Sequence, residues 1–298
     1  MVAGLALYIE AMRLALTSDL HVEHHPEVVP LIAERVRAMA PDVLIVAGDV
    51  SHKLETLEAT LAALQKAAPH LVFVAGNHDL WTQPGAPSSR VRYEEEIPAA
   101  CARAGAHAIG RAPVEIDGVV FCGVTGWYDY SLRNRDLDAT FTRADYERGA
   151  WGRLRWNDTA RVVWPDDDGR ELDAPAICDR QVAALEAQLA DAGTRPTVVV
   201  THHLPFVGLV TSRGELPWDF INGFMGSERL GEVMLRAANV RAGVCGHTHF
   251  RKRVDVEGKG GRFSVETSPI GYPREYARMA GLTLAERVAD RTTAIDLR

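Results

Sequence analysis

Leu71-Val-Phe-Val-Ala-Gly-Asn-His-Asp79 is the stretch that decides the architecture, because an apolar run ends abruptly on glycine, amide, imidazole and carboxylate. A continuous Val/Leu/Phe run reads as a strand buried on both faces, the pattern of a parallel sheet. Its polar residues then fall at the carboxyl end of the strand, where open α/β sheets place their ligands. The same order recurs along the chain. Leu14-Ala-Leu precedes Asp19-Leu-His21, Val43-Leu-Ile-Val precedes Gly48-Asp49, and Thr197-Val-Val-Val precedes His202-His203. A fifth polar cluster, Gly246-His247-Thr248-His249, follows Val244-Cys245.

Helix-period segments lie between these runs: Glu27 to Met39, Leu54 to Ala67, Ile177 to Ala190 and Ser227 to Ala238. Pro26 and Pro41 bracket the first, and Ser227 is placed to cap the last. Alternation of strand and helix indicates an α/β class with helices covering the sheet. Arg251 to Val256, Arg262 to Glu266 and Thr292 to Leu297 read as strands without intervening helices, so the sheet is expected to be mixed. A length of 298 residues is ample for a large core, and a single domain over 1–298 is expected. The clusters from residue 19 to 249 must meet at one place, which argues against an internal boundary.

Bulk properties exclude several classes. Apolar content of 47% and charged content of 24% are ordinary for a soluble globular chain, so membrane and disordered readings fail. A net charge of −7 without a long Lys/Arg block disfavours a nucleic-acid partner. Cys101, Cys122, Cys178 and Cys245 are scattered without C-x-x-C spacing, which suits reduced thiols and a cytoplasmic location. Cys122 and Cys245 read as strand-core residues. The opening MVAGLALYIEAM lacks a basic n-region and a small-residue cleavage site, so it is not a signal peptide. Residues 1–11 precede a complete first strand and read as an N-terminal appendage, either an upstream start or an extra edge strand.

The five clusters contain carboxylate, imidazole and amide oxygen but no thiolate, a donor set for borderline-hard first-row metals. A carboxylate is the natural bridge between two cations about 3.5–4 Å apart, the arrangement that clamps attacking and leaving oxygens in phosphoryl displacement. Asp49, central in the series, is the candidate bridge. His78, next to Asn77, is the candidate proton donor to a leaving oxygen, since imidazole titrates near neutrality. Asp79 is read either as the orienter of that imidazole or as a loop-capping carboxylate.

In order and spacing the clusters resemble the calcineurin-like metallophosphoesterase superfamily, whose pattern runs D-x-H, G-D, G-N-H-[DE], a lone H and G-H-x-H. The resemblance covers roughly Met12 to Tyr272. It implies a two-sheet mixed β-sandwich flanked by helices, in four αββα layers. It implies that one metal takes Asp19, His21, Asp49 and His249, and the other Asp49, Asn77, His202 and His247, with manganese, iron or zinc as the ions. The family pattern favours His202 over His203 as the ligand of that pair. The expected activity is hydrolysis of a small phosphoester by in-line attack of a dimetal-bound hydroxide, with monoester and diester undecided. Alternatives are a catalytically silent binding scaffold on the same fold, or a metal-dependent nuclease whose binding would weaken steeply with salt. The Asp-Arg-Gly continuation of Ser/Thr protein phosphatases is missing after Gly48, where the chain reads Asp49-Val-Ser-His52-Lys53.

Residues 127–175 break the rhythm. This Trp-rich insertion holds Trp127, Trp151, Trp156 and Trp164, four of the six tryptophans, and an acidic turn at Asp166-Asp-Asp-Gly169. A long insertion beside a site suggests a cap that touches substrate, or a small packing core of its own. Arg133, Arg135, Arg153 and Arg155 are candidates to pair with a phosphate, and Trp151 and Trp156 to stack on a base. Phe206, Trp218 and the Ser268 to Pro273 loop are candidates for the same wall. Oligomeric state is not legible.

Overall fold

Side chains alternate across each apolar run, and both faces find cover. In the computed structural model, which describes residues 11–276 and 281–297, the expected appendage at residues 1–11 lies outside the described residues except for Ala11. β1 (Met12–Thr17), β2 (Val43–Val46), β3 (His70–Phe73) and β4 (His107–Ala108) run parallel in that order, and β13 (Thr293–Leu297) joins β1 antiparallel. The second sheet has the order β11 (Arg253–Gly258), β12 (Gly261–Thr267), β10 (Val240–Cys245), β9 (Thr197–Thr201), β6 (Val119–Val124), β5 (Val114–Ile116). Its inner pairs are parallel and its two outer pairs antiparallel.

The sheets pack face to face through Leu14, Leu16, Val43, Ile45 and Val72 on one side and Phe121, Val198, Val200 and Val244 on the other. The residues between them in sequence, such as Ala15, Leu44, Val46 and Val199, turn outward into a second core with Val28, Ile32, Leu57, Leu61, Leu185 and Leu230. These come from α1 (Val28–Met39), α2 (Leu54–Gln65), α4 (Ala174–Ala192) and α5 (Glu228–Arg236); α3 (Ile97–Ala104) and α6 (Leu284–Arg291) complete the helical cover. The result is helix, sheet, sheet, helix. Each buried Leu, Ile or Val contributes about 1.5–3 kcal/mol, so Ile45→Ala alone costs on the order of 2–5 kcal/mol.

Register explains why the ligand loops are level. Thr17 pairs with Val46 and Val46 with Phe73, so the chain leaves these three strands at one height before Asp19, Asp49 and Asn77. In the second sheet Val200 pairs with Val244, which sets His202 and Gly246 side by side. α4 is longer at both ends than its apolar period indicates: Asp173 caps its start by accepting from the Ala176 N–H, and Gly193 with φ of 62° ends it two residues later than expected. Ser227 caps α5 in the same way through the Arg229 N–H. α3, with the π-turn Arg92–Glu96 before it, and β4 to β6 carry no ligand cluster; of these only β6 was anticipated, through the reading of Cys122 as a strand-core residue.

The 127–175 segment is built into the fold by its aromatic side chains. Tyr146 stacks on Phe220 at 4.8 Å and Trp156 on Phe224 at 4.9 Å between ring centres. Trp127 and Trp164 are buried, the latter against Tyr93. Trp151 and Arg155 lie on the small ribbon of β7 (Ala150–Trp151) and β8 (Leu154–Arg155). All four cysteines are buried and free, and among the described residues no helix is long and apolar enough to cross a membrane.

Candidate metal centre

Loops from both sheets meet over the seam between them, and two donor groups form there. In one, His249 Nε2 lies 3.5 Å from Asp19 Oδ1 and 3.2 Å from His21 Nε2, which is 3.8 Å from Asp49 Oδ2. In the other, Asn77 Oδ1 lies 3.0 Å from both His202 Nε2 and His247 Nδ1, which are 3.2 Å apart. Asp49 Oδ1 is 3.5 Å from His202 Nε2. The two oxygens of Asp49 thus face different groups, the disposition a bridging carboxylate needs.

The rear atoms of the rings explain what the front atoms can do. His202 Nδ1 lies 2.8 Å from the Ala47 carbonyl, His247 Nε2 3.2 Å from the Phe224 carbonyl, and His249 Nδ1 2.9 Å from both oxygens of Glu275. A rear N–H donating to each acceptor leaves a lone pair on the nitrogen that faces the centre. Lone pairs from His202, His247 and the Asn77 oxygen then converge within about 3 Å. They have nothing to offer one another and much to offer a cation, so the donor set fits a pair of first-row metal ions.

Charge balance agrees. Burial opposes a proton on His202, but Asp49 outweighs it and pushes the imidazole up to about 9. Burial likewise opposes charge on His249, yet Asp19 and Glu275 push it up to about 10. Burial holds His21 and His247 well below the usual range. The carboxylates therefore draw positive charge to each group, a proton on His202 and His249 where no cation takes its place, and the lone pairs are free only once that proton leaves.

Backbone conformations behind this arrangement are costly. Asp19, His21, Asp49 and His247 have φ of 53°, 44°, 56° and 65°, a left-handed region that costs a non-glycine residue about 1–3 kcal/mol. A crossed set of hydrogen bonds holds them: Asp19 N–H to the Gly48 carbonyl (2.9 Å), His21 N–H to the Asp49 carbonyl (3.0 Å) and His247 N–H to Asp19 Oδ1 (3.0 Å). Asp79 is the anchor beneath them. Its carboxylate accepts the N–H groups of Asp49, Val50, Ser51 and Gly76 at 2.8–2.9 Å. Among the described residues it has no bond to the His78 ring, so of its two readings the geometry gives the loop cap rather than the imidazole orienter.

His78 sits at the mouth. Its N–H donates to Asp49 Oδ1 (2.8 Å), its ring stacks on Trp81 at 3.7 Å, and Nε2 is 3.4 Å from the Tyr272 hydroxyl. Tyr272 also stacks on His21 at 4.1 Å. His203 turns away from the donors: Nδ1 faces the Thr125 carbonyl and the ring packs against His247 and Trp127, with burial pushing it down to about 3.

The proposed substrate residues divide. Trp156 lies edge-on to His247 at 5.8 Å. Arg133 is held bidentately by Asp138, Arg135 pairs with Glu228, and Arg155 donates to the carbonyls of Gly152 and Leu154 in its own hairpin. Trp151 is exposed and leans on Phe141. The structure brings none of these four to the donor groups, because each has a local partner. Glu275 and the carbonyls of Ala47 and Phe224 were missed: of the three, Glu275 alone had a sequence hint, lying just past the Ser268 to Pro273 loop. Asp158 was missed too; it accepts from Asn77 Nδ2 at 2.9 Å.

Known proteins share this fold. The chain is 26% identical over 282 residues to the acyl-carrier-protein phosphodiesterase PptH of Mycobacterium tuberculosis, an alignment covering 88% of this chain and 78% of that protein. The crystal structure of the phosphopantetheinyl hydrolase PptH from Mycobacterium tuberculosis superposes with a TM-score of 0.67 at 25% identity, covering 91% of this chain and 93% of that one. The protein TT1561 of Thermus thermophilus, at 12% identity and a TM-score of 0.52 over 97% of this chain and 100% of that one, shares the fold. Calcineurin-like phosphoesterase is the family that matches, over residues 12–251. That stretch runs from the first residue of β1 past the last donor, His249, and the chain accordingly belongs to the calcineurin-like phosphoesterase family, enzymes that hydrolyse phosphoric esters.

Proposed function

We propose that the protein is a dinuclear metal-dependent phosphodiesterase acting on the phosphopantetheinyl diester of a carrier protein. The observation that carries the dinuclear reading is the division of Asp49, one oxygen facing His21 and the other His202. Asp19, His21, Asp49 and His249 would hold one ion, and Asp49, Asn77, His202 and His247 the other, with manganese, iron or zinc all suited to these donors. When bound, such ions neutralise phosphoryl oxygens and acidify water. The diester and its carrier come from the likeness to PptH along nearly the whole chain.

The chain's own groups supply the rest. His78, partly exposed and 4.0 Å from Asp49 Oδ2 through Nε2, is placed to give a proton to the departing alkoxide. Stacking on Trp81 fixes its ring plane, and the Tyr272 hydroxyl beside Nε2 can pass a proton or a hydrogen bond. Trp156 and the 127–175 segment form a wall on the His247 side, the role of a cap within a single domain.

The test has two parts. Metal-reconstituted protein is assayed on bis(p-nitrophenyl) phosphate against p-nitrophenyl phosphate, with Asp49→Ala as blank, and preference for the diester is expected. A holo carrier protein is then incubated with the enzyme and its intact mass followed, with conversion to the apo form expected. Preference for the monoester together with an unchanged carrier mass would sink the reading.

A further inference from the structure

Asp158 belongs to the 127–175 segment, opens the short helix Asp158–Arg161, and is 2% exposed. Three side-chain N–H groups converge on it. Asn77 Nδ2 (2.9 Å) and Trp81 Nε1 (2.7 Å) donate to Oδ1, and Trp156 Nε1 (2.9 Å) donates to Oδ2. Each donor touches the centre by its other end: the Asn77 oxygen faces His202 and His247, Trp81 stacks on His78, and Trp156 meets the edge of His247.

The chemistry of an amide makes this contact directional. A half-turn of the Asn77 carboxamide exchanges oxygen for NH₂ with almost no change of shape, and an NH₂ aimed at the centre would oppose a cation. An ionised carboxylate only accepts, so Asp158 admits the Nδ2 face and forces Oδ1 toward His202 and His247. We infer that Asp158 is a positioning residue that locks the Asn77 amide in its metal-binding orientation, and so makes occupancy of the second metal position depend on docking of the 127–175 segment. The inference rests on the dinuclear reading. Partners that fix a metal ligand from behind typically change affinity by about 10–100-fold when removed.

A double-mutant cycle with Asn77→Asp tests it, since a carboxylate at position 77 has no donor face to be turned wrongly. Metal-free wild type, Asp158→Asn, Asn77→Asp and the double variant are titrated with Mn²⁺ or Zn²⁺ by calorimetry, and metal per chain is measured after gel filtration. Wild type is expected to bind two ions. Asp158→Asn keeps the first ion and weakens the second by about 10–100-fold, while in the Asn77→Asp background, where two carboxylates face each other, the same change removes their repulsion and is expected to leave the second ion as tightly bound or tighter. Equal losses in both backgrounds, or no loss in either, would overturn the inference by showing a merely structural role. Wild type binding fewer than two ions would overturn the dinuclear reading and this inference with it. Asp158→Ser serves in the same cycle should Asp158→Asn not accumulate as folded protein.

Discussion

Asp79 shows how much one side chain can hold. Two oxygens satisfy four buried backbone N–H groups from both the Gly48 and the Gly76 loops. Asp79→Ala leaves those donors without a partner, and a loss of about 3 kcal/mol or more is expected in urea unfolding of the metal-free protein. Asp79→Asn, which keeps one acceptor, should lose about half; equal stability of all three would show that water replaces the carboxylate. His78→Ala is expected to lower kcat about 10²-fold or more on an alkyl diester and far less on a p-nitrophenyl diester, whose leaving group departs without a proton. An equal fall on both substrates would place His78 elsewhere in the mechanism. At this scale the residues that meet were legible, because each lies in a short motif at a strand end. Their supports were not: Glu275 and Asp158 are 26 and 81 positions from the residues they hold, and only Glu275 had a local hint, its place just past the Ser268 to Pro273 loop. Arg133, Arg135 and Arg155 misled because closeness to tryptophans in sequence does not prevent a surface arginine from finding its own carboxylate or carbonyl.

Elements bring their own constraints. Gly48, after β2, has φ of 87°, and a Cβ there would lie 2.6 Å from both the Gly76 nitrogen and His202 Nδ1. Gly48→Ala should therefore cost more than about 1 kcal/mol from conformation alone and also weaken metal uptake, as measured by unfolding and by metal per chain. Wild-type values for both would mean the loops tolerate being pushed apart. Four buried thiols report on the strands and helices that enclose them. Burial pushes Cys101, Cys122 and Cys178 up to about 12 and Cys245 higher still. Unfolded thiols ionise near about 8.5, so this contribution to stability is full below that pH and is lost as pH rises toward about 12. No thiol should react with a chromogenic disulfide reagent at pH 8 in the native state, and all four should react in denaturant; fast native reaction would show an enclosing element that opens. Strands carrying ligands were readable because a motif ends them. α3 and β4 to β6 lack such a signal, and β4, two residues long, owes its pairing to β3 rather than to any periodicity of its own.

Over the whole molecule, each donor group draws on both sheets: Asp19, His21, Asp49 and Asn77 follow strands of the first, and His202, His247 and His249 follow strands of the second. An ion held in either group would tie one half of the sandwich to the other. Dialysis against a chelator is expected to abolish turnover and to lower the melting temperature by about 4 °C per ion, the size of a ligand held at about 100 times its Kd in a chain of this length. Manganese, zinc or iron should restore both, and an unchanged melting curve after verified metal removal would contradict the cross-linking role. The layered fold was legible from apolar runs and helical periods, whereas the docking of residues 127–175 depends on contacts with Phe220 and Phe224, which no local pattern announces. The same division of ligands sets a clock on synthesis. Asp19 and His249 are separated by 230 positions (249 − 19), which a ribosome adding about 5–20 residues per second covers in roughly 12–46 s. Until the final cluster has emerged and β10 has joined its sheet, each donor group lacks one of its four members, His249 in one and His247 in the other. Each donor group is thus completed only by the last cluster, so a full set of ligands for either ion would first exist once β10 is in place.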